Sequence, residues 1–218
     1  VCGLSVAGFV NMQALSVSEN PDEASLPFDR RRNGFVIGEG AAALVLEEYE
    51  HARARGANIY GEICGYGSTC DAYHITAPHP EARGGAQAMK DAMREAGYTQ
   101  GDRVYVNAHG TGTPTNDPVE TLAIKAALGE EAARKAWISS TKSMTGHMLG
   151  AAGAVEALVC LLALKEGTIP PTINLKEQDD SCDLNYVPGK AVQADITLAL
   201  SNSLGFGGHN ACLAFRKV

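Results

Sequence analysis

Residues 140–165, "STKSMTGHMLGAAGAVEALVCLLALK", constrain the fold more than any other part of the chain. A Ser/Thr/Gly turn carrying Lys142 and His147 runs into a helical stretch, from about His147 to Lys165, with Ala, Gly, Val, Leu and Cys on every side. A helix that is apolar all round has no face to offer water and belongs between layers of structure. Its Ala and Gly residues let neighbouring backbone come close. Glu156, the one acid inside it, would be a surface residue on an ordinary helix. Buried here, it needs a cationic partner.

Around this helix the pattern alternates. "IYGEICGYGSTC" and "RVYVNAHG" read as strands, "GGAQAMKDAMREAG" and "DPVETLAIKAALG" as helices, and "AWISS" as a short strand. "GFVIGEGAAALVLEE" mixes apolar runs with Gly34, Gly38 and Gly40 and is expected to be a buried strand, followed by a helix in "EYEHARARG" that Gly56 closes. "ITLALSNSLGFGG" and "NACLAFRKV" form a hairpin signal. Alternating strands and helices closed by an antiparallel pair specify an α/β class. No repeat or low-complexity linker interrupts it.

Composition closes several routes. An apolar fraction of 45% with 20% charged residues argues against disorder, and no run of some 18 uncharged apolar residues offers a membrane span. The net charge of -7 argues against a general nucleic-acid binder, although Arg30, Arg31 and Arg32 in a row could meet an acidic partner or form a solvated turn. The six cysteines show no CxxC spacing, so reduced thiols in a cytoplasmic setting are expected rather than disulfides or a metal site.

Three glycine-bounded turns each follow a strand-like run: "NAHGTGTPTND" with His109, "STKSMTGH" with Lys142 and His147, and "SNSLGFGGHN" with Phe206 and His209. Ligands collect at the carboxyl ends of strands in α/β sheets, so the three turns can converge on one pocket. None is a phosphate-binding fingerprint. His109, at a strand end between small residues, is a better functional candidate than an average histidine, and Thr111 and Thr113 offer hydroxyls to a ligand or to the turn itself. A neutral His147 could donate to a developing oxyanion near the fixed charge of Lys142. What the set lacks is a nucleophile: no cysteine sits at a strand-to-helix elbow.

"VNAHGTGTPTND", "STKSMTGHMLGAAGAVEA", "IPPTINL" and "NSLGFGGHNA", in this order, resemble the C-terminal part of a β-ketoacyl-[acyl-carrier-protein] synthase of the type II fatty acid system. "PFDRRRNGFVIGEGAAALVLEEYEHARARGA" and "YGSTCDAYHITAP" extend the resemblance upstream. It implies a thiolase-like fold of αβαβα layers, with residues 1–60 ending the first half and 61–218 forming the second. It implies an acyltransferase that performs a decarboxylating Claisen condensation of an acyl thioester with malonyl-carrier protein. His109, His147 and Lys142 would be catalytic, and Thr111, Thr113, Phe206 and Phe9 would bind substrate. Glu156, Gly205 and Gly207 would support them.

The resemblance further implies a cytoplasmic homodimer that works with acyl carrier protein. No metal or bound cofactor is expected, because the substrate rides on the carrier's phosphopantetheine. The family's nucleophilic Cys lies upstream of anything present and a family member is about twice as long, so a piece unable to form acyl-enzyme alone is expected. His209 stands where many members have Thr. Two alternatives remain: a ketosynthase domain of a polyketide synthase, and a non-catalytic partner resembling a chain-length factor. The compact C-terminal end favours a stand-alone enzyme.

Overall fold

The computed structural model describes residues 1–218. The elements run α1 (Gly3–Asn11), α2 (Tyr49–Ala54), β1 (Glu62–Cys70), α3 (Arg83–Glu95), β2 (Val104–Asn107) and α4 (Asn116–Leu128). Then come α5 (Glu130–Lys135), β3 (Trp137–Ser139), α6 (Lys142–Thr145), α7 (Ala152–Glu166), β4 (Thr168–Ile169), β5 (Val192–Gln193), β6 (Leu198–Gly205) and β7 (His209–Arg216).

Five strands form one mixed sheet in the order β1-β7-β6-β2-β3, with β2 parallel to β3 and β6, and β7 antiparallel to β6 and β1. Side chains alternate across a strand, and here the alternation feeds two cores. Val104, Val106, Leu198, Leu200 and Ala214 face α3 and α4, while Tyr105, Ala199 and Phe215 face α7 with Cys160, Leu161 and Leu164. Helices on both faces make a three-layer αβα unit. On β1, Gly65 and Gly67 let α3 lie directly on the strand: a Cβ on Gly67 would sit 1.9 Å from the Ala88 carbonyl oxygen.

Several expectations are corrected. The stretch Gly34–Glu48 is not a buried strand. Only isolated bridges form, Leu15 to Phe35 and Ile37 to His147, and Val45 and Leu46 stand 87% and 71% exposed. Its backbone pairs only at its start, where Phe35 bonds Ala14 and Ser16 on one side and Val36 and Gly38 bond His147 on the other; beyond Gly38 no neighbouring backbone pairs with it until α2. The long helix begins at Ala152, not near His147; Gly146, at φ 68°, stops α6, and a 3-10 turn at Leu149–Ala151 precedes α7. β4 and β5, far apart in sequence, form a separate two-stranded antiparallel sheet that no local pattern announces.

The arginine run is divided: Arg30 is exposed, while Arg31 and Arg32 turn inward to ion pairs. Arg31 forks onto the fully buried Asp29 at 2.8 and 2.9 Å, and Arg32 pairs with Asp179 at 2.6 Å. Burial works against the Asp29 charge, yet Arg31 and the N–H groups of Glu177, Arg31 and Lys176 hold its carboxyl well below the usual range. Phe28 stacks on Tyr186 at 3.9 Å. Residues 26–32 are thus built into the same unit as the sheet.

Candidate active site

The carboxyl end of β2 delivers His109, and α4 fixes it from behind. Glu120, fully buried, accepts the backbone N–H of His109 at 2.7 Å on one oxygen and that of Gly110 at 2.8 Å on the other. Asn202 of β6 donates to the same carboxyl at 3.3 Å. Burial pushes the Glu120 carboxyl up to about 7, against the pull of the two N–H groups. Ser140, after β3, donates to the Gly110 carbonyl at 2.5 Å, so the loops after β2 and β3 are tied together.

His147 reaches the same place from the 140–147 turn. Its ring meets that of His109 edge-on at 5.3 Å and that of Phe35 at 5.3 Å. The Leu149 N–H donates to His147 Nδ1 at 3.2 Å, which makes Nδ1 the acceptor and leaves the proton on Nε2. Burial, with Lys142 nearby, lowers His147 to about 3; burial, then Lys142 and His147, hold His109 far below the usual histidine value. Both rings are therefore neutral near pH 7. For His147 the cause is burial and Lys142, with no helix N-terminus at hand, because α7 starts five residues later.

Lys142 does not face the pocket. It is 2% exposed, pairs with Glu156 of α7, and lines no part of the cavity. The partner that the buried Glu156 required is thus Lys142, and burial raises the Glu156 carboxyl against the pull of that ammonium. The Lys142 ammonium adds to the burial that lowers the two imidazoles.

A cavity of about 570 Å³ collects the remaining groups. His109, His147, Thr111, Thr113, Phe9, Phe206 and Gly205 all line it, from loops after β2, β3 and β6 and from α1. Thr111 and Thr113 hydroxyls lie 3.0 Å apart, and Phe9 stands 6.3 Å from Phe206. Gly207 lies in the turn beside Phe206 but lines nothing. None of the six free cysteines lines the cavity; Cys160, Cys182 and Cys212 are buried elsewhere, and burial raises all three thiols. Among the side chains no cluster of three or more His, Cys, Asp or Glu is placed to hold a metal ion.

Glu120, Asn202 and the Asp71–Asn210 pair at the cavity wall escaped the sequence reading. A signal for Glu120 existed: Asp117, Glu120, Ile124 and Leu128 recur at helical spacing on one stripe of α4, which puts two acids on the buried side.

What such a site can do is narrow. Two neutral imidazoles and paired hydroxyls in an apolar cavity can hold a thioester and stabilise an enolate oxyanion, with no nucleophile of their own.

Comparison with known proteins gives this geometry a family. Residues 60–176 match the Beta-ketoacyl synthase, C-terminal domain, and residues 1–52 match the Beta-ketoacyl synthase, N-terminal domain. The 3-oxoacyl-[acyl-carrier-protein] synthase 2 of Synechocystis sp. is 55% identical over 98% of this chain and 51% of its own length. That of Staphylococcus aureus is 54% identical over 98% of this chain and 51% of its own. Among solved structures, a type II PKS acyl-carrier protein in complex with its ketosynthase bound to the hexaketide superposes with a TM-score of 0.96 at 41% identity, over 100% of this chain and 54% of that one. A Beta-ketoacyl synthase from Burkholderia phymatum does so at 0.91 and 44%, over 100% and 52%. The chain spans about half the length of the curated relatives it matches. Its layered unit has the thiolase-like fold, and the chain belongs to the β-ketoacyl synthase family.

Proposed function

We propose that this chain supplies the decarboxylation half of a 3-oxoacyl-[acyl-carrier-protein] synthase, an acyltransferase of fatty acid elongation. The observation that carries the proposal is the pair of imidazoles, His109 and His147, facing one cavity beside two threonine hydroxyls. Thr111 and Thr113 would hold the phosphopantetheine arm of malonyl-acyl carrier protein, and the malonyl thioester oxygen would accept from the imidazole N–H groups. The bond to the carboxylate breaks, carbon dioxide leaves, and the electron pair becomes an enolate whose oxyanion those N–H groups stabilise. The enolate carbon then attacks an acyl thioester on a cysteine supplied by residues outside this chain, forming the new carbon–carbon bond and releasing the thiolate. Lys142 and Glu156 position the charge behind the histidines, Gly205 and Gly207 shape the turn that carries Phe206, and Phe9 with Phe206 forms the apolar wall for the acyl chain.

Residues 1–60 are assigned to the end of a first layered half and 61–218 to the second, in line with the two matched domains. A homodimer working in the cytoplasm fits the relatives' carrier-protein substrates and the six free thiols, and no helix is long and apolar enough to cross a membrane.

The reading is tested in the full-length protein by following carbon dioxide release from malonyl-acyl carrier protein. His109→Ala and His147→Ala are each expected to lose about a hundredfold or more in rate, the scale of one oxyanion donor. Wild-type rates in both variants would remove the assignment. A polyketide ketosynthase is the second reading, favoured by the 0.96 superposition on such an enzyme. Preference for poly-β-keto over saturated acyl primers would select it.

A further inference from the structure

The turn Phe206–Gly208 between β6 and β7 has an inner and an outer side. On the inner side Phe206 forms part of the cavity wall. On the outer side stand Cys70, the last residue of β1, and His209, the first of β7, which pair directly across the antiparallel ladder. Directly opposed residues put their side chains on one face of a sheet. Both are exposed to solvent, and neither lines the cavity.

Both bear on the same residue, Gly207. Cys70 Sγ donates to the Gly207 carbonyl at 3.6 Å. The His209 ring lies against the glycine, since a Cβ on Gly207 would stand 3.2 Å from its Cδ2 and 3.3 Å from its Nε2. From the other direction the Gly207 N–H donates to the Ile75 carbonyl at 2.7 Å. Gly207 and Gly208 adopt φ of 82° and 79°. Two adjacent glycines move readily between left- and right-handed backbone. Local sequence therefore does not hold this turn, and contacts from outside it must.

We propose that Cys70 and His209 form a latch on the outer side of the turn and act as positioning residues that set where Phe206 stands in the cavity wall. A change on the exposed face, including a substitution at either residue, is then read inside the cavity through one glycine. For its effect on turnover the inference rests on the function proposed above; the latch itself does not.

The test is amide hydrogen exchange on the full-length protein. His209→Ala and Cys70→Ala are expected to speed exchange at Gly207 roughly three- to tenfold, the effect of removing one modest contact from a locally opening turn. Cys70→Ser keeps a donor and should stay within about twofold of wild type, and the amides of β2 should not change. In turnover, His209→Ala should shift KM for the acyl thioester at least about threefold with a smaller change in kcat, as expected when binding rather than chemistry is disturbed. Unchanged exchange at Gly207 in both alanine variants overturns the latch, as does a rise spread equally over the sheet. A wild-type protein that exchanges as expected but condenses nothing overturns the proposed function and leaves the latch standing.

Discussion

His147 shows how position decides chemistry at a single residue. The ordinary imidazole titrates near 6.5, but burial and Lys142 bring this one down to about 3. A base whose folded value is depressed contributes stability above its unfolded value and loses it as pH falls. For His147 that window runs from about 6.5 down to about 3. Nitrogen NMR of the full-length protein should accordingly show His147 neutral, protonated on Nε2, from pH 8 to 5. A titration with a midpoint near 6.5 would contradict the burial argument and remove the neutral donor from the proposed mechanism. His109 and His147 were legible in the sequence because each follows a strand in a glycine-bounded turn. Glu120 was legible only as an acid on the buried stripe of α4, not as the holder of two backbone N–H groups, because backbone partners leave no trace in a residue pattern. Lys142 was legible as important but not as buried: five residues from His147 in sequence, it turns the other way, toward Glu156.

The strands and helices of the sheet were recoverable because each carries its own period. The apolar run Val104–Val106 and the Ala/Met stripe of α3 are local signals of global burial. Strand order is not local. That β7 lies between β6 and β1 has no local signature, and neither does the close seating of α3 on β1 that Gly65 and Gly67 permit. Placing a methyl on Gly67 drives it into the Ala88 carbonyl, a backbone atom that cannot rotate away. Gly67→Ala is therefore expected to cost about 2 kcal/mol or more by overpacking, read as a lower midpoint in urea with an unchanged slope. A midpoint equal to wild type would mean that α3 slides freely on β1. The stretch Gly34–Glu48 failed in the opposite sense: beyond Gly38 it carries the pattern of a strand without backbone beside it, and pattern alone cannot supply the neighbour.

At the scale of the whole molecule the sheet is covered on both faces, but the outer layer is not. The apolar helix α7 buries Ala157, Cys160, Leu161 and Leu164 against the sheet. Its other side, Val155, Leu158 and Leu162, repeats at helical spacing and is partly open, with Leu158 39% exposed. No residue of α1 is buried, Leu4 is 85% exposed, and Val45 and Leu46 stand in solvent. Exposed apolar surface of this extent marks an interface. Relatives are about twice as long as this chain, and we infer that the remainder of such a protein covers this side, setting α7 at the centre of the layers. A single substitution separates that inference from a merely sticky surface, because it should change sign with context. In the 218-residue chain alone, Leu158→Glu removes apolar surface from water and should lower dye binding by 8-anilinonaphthalene-1-sulfonate and reduce self-association, with little loss of stability. In the full-length protein the same carboxylate would enter a dry layer without a partner, at a cost of several kcal/mol. Unfolding midpoints of the two pairs should therefore diverge: nearly equal for the short chain and its variant, widely separated for the long ones. Equal tolerance in both contexts would place α7 at the molecular surface and leave the bare stripe without an occupant.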